Sequence, residues 1–202
     1  MTNGIRPRLV APGTPLSRPL IGGHLALGLA LHSEGAAVPI DPVMLEAMGH
    51  TPAQAFAEAE RWLAAHTSSD DLAPVDTVPG MWFLSCHDGD AAVRLHQVPH
   101  LLQPLGGLLA AVPSRNQLLL VPVDTLESVE ALRILASAVG TAYDAATDPV
   151  SDQLYWHDGD SWVPVRLERE PGGDVTVLPP PAFFDRVRQV ASMELVRVVG
   201  EA

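Results

Sequence analysis

Apolar positions along the chain change period several times, and each change predicts an element. From His24 to His32, Leu25, Leu27, Leu29 and Leu31 alternate with Ala26, Gly28 and Ala30. A period of two is that of a strand, with large residues on one face and small ones on the other. The small face leaves room for close packing. Asp41-Pro42 and Thr51-Pro52 then each read as a helix start, an N-cap acceptor followed by proline at the first helical position. The first helix stops at Gly49. The second carries Phe56, Ala59, Trp62 and Leu63 at helical spacing and ends near His66. Residues 67–79 are polar and proline-bearing and read as a loop.

Beyond this loop the apolar runs are short and paired. Runs at 80–86 and 91–96 flank Asp88-Gly89 and predict a hairpin. Runs at 108–112 and 117–123 predict a second, and 153–167 a third across Asp158-Gly159. Pro99–Leu105 reads as a short helix or turn. Asp124 or Thr125 starts the longest helix, about 126–146, with an apolar stripe from Leu126, Val129, Leu132, Ile134, Leu135, Ala138 and Val139. Val175–Leu178 is a further strand. Pro179-Pro180-Pro181 opens a last helix with Phe184, Val187, Val190, Ala191 and Leu195 facing inward. Strands that arrive as hairpins pair antiparallel. The expected fold is α+β, a mainly antiparallel sheet of hairpins with helices packed on one face. Residues 1–19 hold Pro7, Pro12, Pro15 and Pro19 and read as a Pro/Arg-rich arm. Residues 20–202 read as a single domain.

The chain has 202 residues, 47% hydrophobic and 18% charged, enough for a real core. Its formal net charge of −12 argues against nucleic acid and anionic lipid, and leaves a protein partner. The apolar run Leu20–Leu31 is too short to span a bilayer. The prolines and His24 argue against a secretory leader there. Cys86 is the single cysteine, so no intrachain disulfide forms. This suits a cytoplasmic protein and a buried structural thiol. All 12 basic residues are arginine. Schiff-base and phosphate-loop lysine chemistry is therefore excluded.

One tetrapeptide stands out. His-Asp-Gly-Asp occurs at His87–Asp90 and again at His157–Asp160, each after a Trp-bearing apolar run and each before Arg-Leu, at Arg94 and Arg166. Asp-Gly between apolar runs is first of all a turn, since glycine accepts positive φ at little cost. A His/Asp cluster is also a potential ligand site. No metal is expected, because hairpin tips are exposed and nothing in the sequence joins the two copies. No cofactor is expected either. His96 and His100 lack a carboxylate at ligand spacing. Arg115, at the tip of the second hairpin, is suited to bidentate grip of an oxyanion. The candidate binding residues are His87, Asp88, Asp90, Arg94 and Arg115; none is read as catalytic.

The ordered pieces Pro39-Ile-Asp-Pro-Val-Met-Leu45, the helix Ala53–Leu63, Gly80–Arg94, Leu108–Val121, the long helix and Leu154–Val165 resemble the YtpQ-like bacterial proteins, a domain of unknown function. The resemblance covers about residues 38–167. It implies a cytoplasmic α/β domain and brings no established activity. The sequence thus leads to a non-enzymatic protein-binding domain, immunity-like, chaperone-like or accessory. The rival is a hydrolase or small-ligand-binding enzyme using the His and Asp of the tip with Arg94 and Arg115. That rival requires His87, Asp88, Asp90 and Arg115 to line one pocket. A homodimer through an edge strand or the small-residue face is a third expectation.

Overall fold

The computed structural model describes residues 4–33, 36–84, 86, 88–125, 127–169 and 175–200, the last seven by backbone alone. Its strands fall into two antiparallel sheets. The predicted alternating strand is β3 (Leu25–Ser33), the centre of the first sheet. β1 (Gly4–Val10) pairs along its whole length, from Gly4 opposite His32 to Val10 opposite Ala26. β2 (Arg18–Ile21) and β4 (Ala36–Pro39) share the other edge of β3.

Residues 4–10 are therefore a strand, and the expected arm is corrected there. Among the described residues β1 pairs with β3 alone, as an edge strand. At an edge, a proline such as Pro7 is tolerated where its missing N–H would point away from the partner. Opposite residues of an antiparallel pair share a face. Arg6 stands opposite Ala30 and Arg8 opposite Gly28, so the small-residue face of β3 carries the stems of two arginines. The space is close to full: a Cβ on Gly28 would lie 2.9 Å from Val10 Cγ1.

The second sheet has seven strands. In chain order they are β5 (Leu72–Pro74), β6 (Trp82–Leu84), β7 (Leu108–Ala111), β8 (Leu118–Pro122), β9 (Leu154–His157), β10 (Trp162–Arg169) and β11 (Val175–Leu178). Their spatial order is β11-β10-β9-β7-β8-β6-β5, antiparallel throughout. The second and third predicted hairpins are β7–β8 and β9–β10. β5 lies within the span read as a loop.

The first predicted hairpin does not form. Residues 91–96 are a 3-10 helix, Ala91–His96, not a strand. Ala91 through Leu95 are all buried, a run whose period cannot separate strand from helix. Arg94 Nη1 donates to Asp90 O, four residues back, at 2.8 Å. A helical turn gives that reach and a strand does not.

Helix α1 (Pro42–Ala47) is capped by Asp41, whose Oδ1 accepts from Met44 N at 2.7 Å. Helix α2 (Pro52–Ala65) starts with a Thr51–Gln54 capping box. Both starts follow the sequence. Leu45, Phe56, Ala59 and Leu63 pack with Ile5, Leu27 and Leu29 of the first sheet. Helix α3 (Val98–Leu101) follows the 3-10 helix, and both cover one face of the large sheet with Ile21 and Leu25. Helices α4 (Glu127–Asp144) and α5 (Pro181–Gly200) supply the core on its other face, where Leu135, Val139 and Phe183 meet Leu109, Val121 and Trp156.

The fold is α+β, with two sheets in place of one. Two inward assignments are corrected. Phe183 is 2% exposed and Phe184 52%, because Phe183 packs edge-on against Trp156 at 5.5 Å. Val129 is also exposed. Among the described residues, no helix is long and apolar enough to cross a membrane.

Candidate functional site

The Asp-Gly-Asp parts of the two His-Asp-Gly-Asp copies share a local structure and differ in setting. In each, the first Asp accepts from the backbone N–H of the second: Asp90 N to Asp88 Oδ1 at 3.1 Å, Asp160 N to Asp158 Oδ1 at 2.9 Å. This is the Asx turn that Asp favours. Gly89 and Gly159 both take positive φ, 74° and 111°. The second copy is a hairpin tip: His157 pairs with Trp162 and Asp158 Oδ1 also accepts from Ser161 N.

The copies sit at opposite ends of the large sheet. Leu84, before the first, pairs with Leu118 at the β7–β8 turn. His157 pairs with Leu108, at the other end of β7. The two copies therefore do not share a site.

Asp88 and Asp90 of the first copy lie in a charge cluster. Arg94 is 2% exposed and grips Asp88 through both oxygens, Nη2 to Oδ2 at 2.6 Å and Nη1 to Oδ1 at 3.1 Å. Its Nη2 also donates to His66 O at the end of α2, at 3.2 Å. One side chain thus ties the loop, the 3-10 helix and α2. Trp62 lies beneath Arg94 at 5.3 Å and Arg6 at 4.4 Å, and stacks on His66 at 4.4 Å. A cleft of about 520 Å³ opens here, lined by Arg6, Trp62, His66, Cys86, Asp88 and Arg94.

Asp90 faces two basic side chains from other elements. His32 Nε2 on β3 lies 3.4 Å from its Oδ2, and Arg115 Nε on the β7–β8 loop lies 3.7 Å from its Oδ1. Arg8 is within electrostatic reach of Arg115, Asp90 and Asp148. Main-chain bonds lock the junction: Ala92 N donates to Arg115 O at 2.9 Å and Arg115 N to Asp148 O at 3.1 Å.

Burial dominates the electrostatics. It raises the Asp90 carboxyl above its ordinary value, although His32, Arg115 and Arg94 pull the other way. It lowers His32 in spite of Asp90. Both partners are thus pushed toward their neutral forms, so the pair is weaker than 3.4 Å suggests. Burial would raise Asp88 too, but the Arg94 hydrogen bonds and charge outweigh it and the carboxyl falls below its ordinary value. Cys86 is pushed up to about 11 by burial and the surrounding aspartates, against Arg94. At neutral pH it is a thiol, not a nucleophilic thiolate.

Of the five candidate residues, Asp88, Asp90, Arg94 and Arg115 come together. His87 lies outside the described residues. The sequence reading missed His32, Arg8 and Asp148 as members, and Arg6 beside them. The signal within reach was parity: Arg6 and Arg8 fall on alternate positions, as strand residues sharing a face do. Comparison of the chain with protein-family models, curated proteins and solved structures finds no match.

Proposed function

We propose that the chain is a non-enzymatic, cytoplasmic binding domain for a protein partner, which docks at the face formed by the Asp88–Asp90 loop and Arg115. The supporting observation is the charge balance. In a chain of net charge −12, four arginines and His32 gather around Asp88, Asp90 and Asp148. With Asp71 on the cleft the guanidiniums and carboxylates are matched in number, and a concentration of guanidinium in an acidic protein suits an acidic group on a partner. The site also lacks an activated nucleophile among its described residues. Cys86 is held as the thiol, and the Ser114 hydroxyl donates within its own loop to Asn116 Oδ1 at 2.7 Å. Kinship with the YtpQ-like proteins is part of the proposal and adds no chemistry to it.

The test is affinity capture from the native host with wild-type protein and Arg115→Ala. A specific partner recovered by the wild type and lost by the variant is expected. Equal capture by both, or no specific partner, would remove this reading. The hydrolase reading retains one favourable observation, the convergence of Asp88, Asp90, Arg94 and Arg115. Ester or phosphoester turnover that disappears in Asp90→Asn would put it first.

A further inference from the structure

We propose that the Asp90 carboxyl is a proton-operated latch on Arg115. Ionised, it competes with a partner's acidic group for the guanidinium; protonated, it lets go. The inference rests on the docking reading above and adds its regulation.

The first ground is how the two aspartates of the loop are held. Asp88 takes both arms of the Arg94 fork and the N–H of Asp90. Asp90 is buried, yet its carboxyl accepts no hydrogen bond from the described residues. Arg115 Nε comes only to 3.7 Å, beyond hydrogen-bond range. His32 Nε2, at 3.4 Å, is itself buried without a hydrogen-bond partner. Hydrogen bonds to the ionised form keep a buried carboxylate charged, and Asp88 has them where Asp90 does not. Asp88 is therefore the fixed charge of the loop and Asp90 the group that takes up a proton. Burial accordingly lifts Asp90 and not Asp88.

The second ground is what can move. The Arg115 backbone is bonded on both sides, accepting from Ala92 N at 2.9 Å and donating to Asp148 O at 3.1 Å. Its side chain makes no hydrogen bond to the described residues, so the contact with Asp90 is purely ionic. A cleft of about 460 Å³ opens beside it, lined by Gly89, Ser114, Arg115, Asn116, Gln117 and Asp148. A guanidinium released from Asp90 has this open space next to it, while the loop stays in place.

The neighbours set the sign. Asp90 is faced by His32 of β3, Arg115 of the β7–β8 loop, Arg94 of the 3-10 helix and Asp88 of its own loop, with Arg8 of β1 in electrostatic reach. His32 is faced by Arg6 and Arg115 besides the two aspartates. As pH falls, a proton from solvent neutralises Asp90, and a proton taken up by His32 adds to the same positive field. Arg94 keeps Asp88 ionised. Positive charge at the docking face therefore rises with acidity, and the attraction for an acidic partner rises with it.

The experiment follows the Arg115 Nε–Hε signal of isotope-labelled full chain by NMR from about pH 7 to about pH 4, while the backbone spectrum stays folded. One step is expected, shared with the Asp90 side-chain carboxyl carbon. Asp90→Asn is expected to abolish it and His32→Gln to retain it. Hexaglutamate peptide is then titrated at neutral pH and constant ionic strength. Asp90→Asn is expected to bind it on the order of tenfold tighter than wild type. In the Arg115→Ala background the same change is expected to add nothing, and Asp158→Asn at the second copy is expected to leave binding unchanged. An Arg115 signal that does not move, or a step lost in His32→Gln and kept in Asp90→Asn, would overturn the inference. So would a gain in peptide affinity that persists without Arg115. The wild-type signal decides even if a variant fails to fold. A step and a gain without a captured partner would remove the docking reading alone. A captured partner with an unmoved Arg115 signal would remove the latch alone.

Discussion

Arg94 holds Asp88 by both carboxylate oxygens, at 2.6 and 3.1 Å, while the same guanidinium bonds the carbonyls of Asp90 and His66. The pair converts an Asp-Gly turn into a joint between α2, the large sheet and the 3-10 helix. Removing Arg94 leaves the largely buried Asp88 carboxylate without its hydrogen-bonded cation, with Arg6 alone at longer range. Arg94→Ala is expected to cost about 3–5 kcal/mol, and Arg94→Lys not to restore it, because an ammonium lacks the fork. Urea denaturation with an unchanged m-value measures this; a loss under about 1 kcal/mol would show the joint to be dispensable.

The second copy offers an internal control. Asp158 makes its turn at a solvent-facing tip, its side chain accepting from backbone N–H donors only. Asp158→Ala is expected to cost no more than about 1.5 kcal/mol, and Asp88→Ala clearly more, since that change also strands Arg94. Equal losses in parallel denaturation curves would contradict the difference in setting.

His32 carries a pH signature. Burial lowers it below the ordinary histidine range, about 6.5. The unfolded chain then takes a proton near that pH which the folded chain refuses. Its contribution to stability is present above about 6.5 and is lost as pH falls from there through the folded value. NMR titration of the His32 ring should show an inflection below about 6.5; one at or above it would reverse the sign. Asp88, also lowered, loses its contribution only as pH falls below the ordinary carboxylate range. Asp90, raised, acts oppositely: its effect favours the fold at low pH and fades as pH rises through its folded value.

Cys86 should be slow to react. With its thiol pushed up to about 11, alkylation of native protein at pH 8 is expected to run on the order of a hundredfold slower than free cysteine, and to recover on unfolding. Iodoacetamide kinetics followed by mass spectrometry reads this directly. Rapid native alkylation would mean that the thiol is neither buried nor held protonated.

Gly107 tests the core beside the second copy. Its φ is +88°, and an added Cβ would lie 2.4 Å from both His157 O and Trp156 Nε1. The left-handed backbone alone costs an alanine about 1–2 kcal/mol. Gly107→Ala should exceed that. Gly89→Ala, also at positive φ but with open space around it, should stay within it. A smaller loss at Gly107 than at Gly89 would refute the close packing.

Local features were legible from the chain alone. The Asp41 and Thr51 caps, the alternation in β3 and the β9–β10 tip depend on neighbours a few residues apart, whose chemistry the sequence spells out. So does the Asx turn in both tetrapeptides, which needs only Asp, Gly and the following N–H. The sequence also narrowed the chemistry, to arginine as the only strong cation and to Asp88, Asp90, Arg94 and Arg115 as candidates. It did not tell the two copies apart. Only the tertiary structure did, by setting Asp88 and Asp90 of the first among Arg94, His32 and Arg115 and leaving the other copy at a tip. His32 and Arg8 come from strands some 60 to 80 positions away, and their approach is decided by the β1–β3 register and by how that sheet packs on the 3-10 helix. Such contacts carry no local period. They arise because burying Ala91–Leu95 draws the Asp88–Asp90 loop inward, and a buried carboxylate must then find cations wherever the fold supplies them.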